Sequence, residues 1–68
     1  MSENITKEGL EVRPGQVWRD LDKRMGGREV TVLWVKDGKA RVKGAMETTL
    51  SVRRMHSHST GWVLVRSP

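Results

Sequence analysis

The pair Asp37-Gly38 stands between two runs of alternating side chains and constrains the fold more than any other feature of the chain. A two-residue turn of type I′ needs positive φ at both central positions, which Asp and Gly tolerate and β-branched residues resist. Upstream, Arg28 to Lys36 predicts a strand in which Val30 and Val32 alternate with Glu29 and Thr31. Downstream, Lys39 to Gly44 places Ala40 and Val42 on one face and Lys39, Arg41 and Lys43 on the other. The alternation fails at Leu33-Trp34-Val35, which is apolar on both faces. Such a break inside a strand predicts a bend or bulge.

The remainder from Pro14 onward follows the same pattern. Gln16 to Arg19 predicts a first strand after the Pro14-Gly15 turn, and Asp20 to Gly27 predicts a long polar loop. Thr48 to Arg53 predicts a fourth strand, with Leu50 and Val52 inward and Thr49, Ser51 and Arg53 outward. Met55 to Thr60 is a polar connection, and Trp62 to Arg66 predicts a fifth strand. No segment predicts a regular helix, because Pro14 stops one candidate and Gly26-Gly27 ends the other. Residues 1–13 show neither period and predict a flexible tail ahead of a single domain over residues 14–68. The expected fold is therefore all-β, a small five-stranded SH3-like barrel, with an open meander completed by dimerisation as the alternative.

Size and charge limit the function. At 68 residues the chain is too short for a doubly wound cofactor-binding sheet or a TIM barrel, and no nucleophile elbow, phosphate loop or zincin motif occurs. The expectation is a non-enzymatic protein with no cofactor. With no Cys there is neither a disulfide framework nor a thiolate zinc site, and a reducing cytoplasm is expected. No apolar run approaches the ~20 residues of a membrane span. The net charge is +5, and all of that excess lies beyond residue 38, where Lys39, Arg41, Lys43, Arg53, Arg54 and Arg66 face Glu47 alone.

Five of those cations are candidate phosphate contacts: Lys39, Arg41, Lys43 and Arg53 on the outward face of strands three and four, with Arg54 nearby. Trp18, Trp34 and Trp62 are the only aromatic residues. Trp18 and Trp62 are expected to fill the core. Trp34 lies in the doubly apolar stretch, where either a core position or a surface contact to bases fits the pattern. His56-Ser57-His58 places two imidazoles two residues apart, short of the three or four ligands of a stable metal site, so no metal is expected. Asp20 or Asp22 is expected to cap the loop or to pair with Arg28.

The stretch PGQVWRDLDKRMGGREVTVLWVKDGKARVK from Pro14 to Lys43, with SVRRM from Ser51 and TGWVLV from Thr60, resembles small SH3-like barrel proteins of actinobacteria and their phages. Similar patterns occur in SH3-like nucleic-acid modules of the KOW type. The resemblance implies the fold and a phage or bacterial setting, and no mechanism. Three functions are expected in order: a small basic nucleic-acid-binding module, for DNA more than RNA; a protein-interaction module with an acidic partner, such as a phage factor on a host protein; or a small structural, self-assembling protein with its interface at the apolar Leu33 to Val35 stretch. The first two would act as a monomer or weak homodimer.

Overall fold

A computed structural model describes residues 4–68. Five antiparallel strands, β1 (Val17–Asp20), β2 (Glu29–Lys36), β3 (Lys39–Lys43), β4 (Glu47–Ser51) and β5 (Trp62–Arg66), form one sheet in the order β4-β3-β2-β1-β5. A longer loop joins β1 to β2 and short turns join β2 to β3 and β3 to β4, and β5 then returns to the free side of β1. Two 3-10 helices of three residues each, Lys23–Met25 and Val52–Arg54, interrupt segments expected to be loop and strand. Strand four is thereby shorter than its alternation suggested. Val52 still reaches the core, but from a helical turn that carries Arg53 and Arg54 away from the strand.

The Asp37-Gly38 turn has the expected geometry, with φ of 52° and 75°. It pairs Lys36 with Lys39 and Val35 with Ala40. The register then slips between Val32 and Trp34, so that Leu33 is the extra residue of a bulge. That slip is why both Val32 and Val35 point to the interior while Leu33 and Trp34 are exposed. It also bends β2, whose first half pairs with β1 and whose second half pairs with β3.

The core comprises Val12, Trp18, Val30, Val32, Ala40, Val42, Val52, Met55 and Trp62. Trp18 is fully buried, and its indole Nε1–H donates to Gln16 Oε1 at 3.1 Å. The same oxygen accepts the Arg13 N–H at 2.8 Å, and Gln16 Nε2 donates to the Glu11 carbonyl at 2.9 Å. Buried Gln16 therefore ties the preceding segment to the central tryptophan. From Asn4 onward the segment expected to be a flexible tail forms its own turn, with Thr6 N–H donating to the Leu10 carbonyl and Val12 N–H to the Asn4 carbonyl. Val12 enters the core, because a chain without Phe or Tyr draws bulk from wherever it can. Residues 1–3 of that expected tail lie outside the described residues.

The sheet does not close into the expected barrel. Strands β4 and β5 remain its two edges, and the second 3-10 helix and residues 55–61 bridge the gap between them. Five strands of four to eight residues give a body of 33 × 21 × 20 Å. Among the described residues, no helix is long and apolar enough to cross a membrane.

Candidate nucleic-acid interface

The hairpin formed by β2 and β3 presents its outward side chains on one surface because period-2 alternation sends Ala40 and Val42 inward. Lys39, Arg41 and Lys43 consequently share a face, as the alternation predicts. Trp34 stands directly opposite Arg41 and is 47% exposed, which decides its position in favour of the surface. Lys36, opposite Lys39, joins the same face. The signal for Lys36 was present in the sequence, since residues flanking a two-residue turn must be cross-strand partners. The bulge hid it, because counting alternation through Leu33 without the extra residue gives the wrong side.

Electrostatic pairing separates the cations into two groups. Arg41 is held in place: its Nε donates to Glu47 Oε2 at 2.9 Å and its Nη1 to Thr49 Oγ1 at 2.9 Å. Glu47 begins β4 opposite Lys43 and brings a carboxylate to this face. Arg13, Arg19, Arg24 and Arg28 are likewise paired, with Glu11, Glu29, Asp22 and Asp20. Among the described residues Lys36, Lys39 and Lys43 make no ion pair. These three unpaired lysines share the outward face with Trp34.

The remaining two candidates do not lie on this strand face. Arg53 projects from the second 3-10 helix beside Lys39, Asp37 and Ile5, at the rim of the patch. Arg54, the next residue in that turn, faces the gap between β4 and β5. The expectation that Arg53 faces outward from strand four is corrected by the helical turn, which ends the alternation at Ser51.

Trp18 and Trp62 are core residues, as expected. Asp20 and Asp22 both act in the loop that follows β1. Buried Asp20 accepts the Asp22 N–H at 2.9 Å and pairs with Arg28 Nε at 2.9 Å, while the Arg28 guanidinium lies 5.6 Å from the Trp62 ring centroid. Asp22 caps the first 3-10 helix through the Arg24 N–H at 3.0 Å. Their carboxylates are thus engaged in holding the loop. Among the described residues, no group of three or more His, Asp or Glu is placed to hold a metal ion.

Compared with known proteins, the chain matches no family model, no curated sequence and no solved structure.

Proposed function

We propose that the protein is a small non-enzymatic nucleic-acid-binding module whose outward β2–β3 face engages an unpaired strand. The observation that carries this is the exposed indole of Trp34 among Lys36, Lys39 and Lys43, none of them ion-paired among the described residues. An aromatic face stacks on any base, and surrounding cations track the phosphates, which gives sequence-tolerant binding. Arg41 adds a fourth contact when phosphate displaces Glu47 or joins it at the guanidinium. The strand order, with a 3-10 turn between the last two strands and a bent second strand, supports an SH3-like module. A Cys-free chain suits a reducing cytoplasm.

Fluorescence anisotropy of labelled single-stranded and duplex DNA at 50 and 200 mM salt tests this proposal. Four phosphate contacts at ~0.7 per contact weaken single-strand binding about 50-fold over that range. Trp34→Ala is expected to weaken it about tenfold with little change in Tm, the loss of one stacking contact. Lys39→Glu/Lys43→Glu is expected to abolish it. Absence of binding at 50 mM salt, or equal binding by the charge-reversed variant, would overturn the proposal. So would a protein partner that survives nuclease treatment and is displaced by neither strand form, which would assign the face to an acidic protein.

A further inference from the structure

A second surface, separate from the Trp34 face, opens where the sheet fails to close. It is a cleft of about 690 Å³ between β4, the second 3-10 helix, the connection that follows and the start of β5. Its polar wall consists of Thr49, Ser51, Arg54, His56, His58 and Thr60, and its apolar wall of Leu50 and the edge of Trp62. Among the described residues no carboxylate lines it. Arg54 makes no ion pair among the described residues. A guanidinium, two imidazoles and three hydroxyls together offer many donors to an oxyanion and nothing that repels one.

The imidazoles are held in place by the backbone. Trp62 N–H donates to the His56 carbonyl at 2.9 Å and Gly61 N–H to the His58 carbonyl at 2.9 Å, folding residues 56–61 back on themselves. The fold is tight enough that a Cβ on Gly61 would lie 2.0 Å from the His56 carbonyl oxygen and 2.5 Å from His58 Cδ2. Only glycine fits there. The two rings stand 4.5 Å apart, tilted by 45°. Thr60 N–H donates to His58 Nδ1 at 3.3 Å, so the neutral ring carries its proton on Nε2, as a hydrogen-bond donor.

We propose that this cleft binds a nucleoside monophosphate, with Arg54 and the His56 and His58 imidazoles on the phosphate and Leu50 and Trp62 against the nucleoside. A phosphate alone would occupy a small part of a space that falls in the size range of sites for small organic ligands. The same chemical group has two sources, a free nucleotide or the terminal nucleotide of a strand. Both reach the cleft, because Thr49 borders it and also accepts from Arg41 on the strand face. The cleft stands on its own residues and does not require the Trp34 face to bind a strand.

Titration of the full-length, isotope-labelled protein with a nucleoside 5′-monophosphate, followed by amide NMR, tests the proposal. Saturating shifts are expected at Arg54, His56, His58, Thr60 and Gly61. The unphosphorylated nucleoside and inorganic phosphate are each expected to bind at least tenfold more weakly. Arg54→Gln, whose exposed side chain leaves the core untouched, is expected to weaken nucleotide binding read at the His56–Gly61 amides tenfold with the spectrum otherwise preserved. An oligonucleotide with a 5′-phosphate that binds at least threefold more tightly than its 5′-hydroxyl twin places the strand end in the cleft, and equal binding assigns the cleft to the free nucleotide. Shifts confined to Lys36–Lys43, no saturation, unaltered binding by Arg54→Gln, or inorganic phosphate binding as tightly as the nucleotide would overturn the proposal.

Discussion

Individual side chains in this protein are held mainly by short, local partners. Asp22 shows how much one carboxylate does: it caps the 3-10 helix through the Arg24 backbone and pairs with the Arg24 guanidinium at 2.9 Å. The side-chain bond to Arg24, followed by the backbone bond, holds its carboxyl below the ordinary value of 3.8. A depressed folded-state value means that the contribution is complete above the unfolded value and disappears as pH falls through the folded one. The ¹³C titration of the Asp22 carboxyl is therefore expected to have a midpoint below 3.8, with faster amide exchange at Lys23–Met25 once it is protonated. A midpoint at or above that value would show that the cap does not persist in solution. Gln16 is the buried counterpart, an amide shared between Trp18 and the backbone at Glu11 and Arg13. Nothing in the local pattern distinguished it from a polar residue at a strand entry, since its role depends on a segment that packs back from five residues away.

At the scale of elements, the β2–β3 hairpin was legible almost residue by residue. Asp37-Gly38 sets the turn, the turn sets the register, and the register assigns Lys39, Arg41 and Lys43 to one face. The break at Leu33-Trp34-Val35 was visible as a bulge, but its effect on Trp34 was not, because exposure depends on what packs over each side of the bend. The fourth strand was less legible: Leu50 and Val52 keep period 2, yet Val52 faces inward from a 3-10 turn. Inward apolar spacing does not distinguish a strand from a single helical turn over so few residues. Glu47 likewise escaped notice as a partner of Arg41, and it moderates the face it borders. Replacing it tests that effect. Glu47→Gln frees the Arg41 guanidinium and removes the carboxylate, so single-stranded DNA is expected to bind about threefold more tightly at 50 mM salt, in line with the modest strength of an exposed ion pair. Weaker binding would mean that Glu47 serves to position Arg41 rather than to compete with phosphate.

For the molecule as a whole, the distribution of bulk matters more than the strand count. A 68-residue chain with three tryptophans and no other aromatic residue has little apolar surface to bury, so distant residues are recruited to one core. Val12 is the clearest example, 2% exposed in the same core cluster as Trp18 and Val32 although it precedes the sheet. Val12→Ala is expected to cost about 2 kcal/mol, comparable with Val42→Ala, and to lower Tm by about 10 °C. Thermal unfolding of the two variants checks this. A loss below about 0.5 kcal/mol at Val12 alone would show that the segment before Pro14 does not belong to the folded unit.

Taken alone, the sequence determined the all-β class, the hairpin and the inward and outward faces of its β3 strand, because turn chemistry and period-2 alternation act between near neighbours. The excess of positive charge in the second half was equally plain. Only the tertiary structure decided that the sheet stays open between β4 and β5, that Trp34 is exposed and that Arg54 joins the two histidines in the gap. Each of these depends on how segments far apart in the chain pack together, and the volume available to a side chain is set by its neighbours in space.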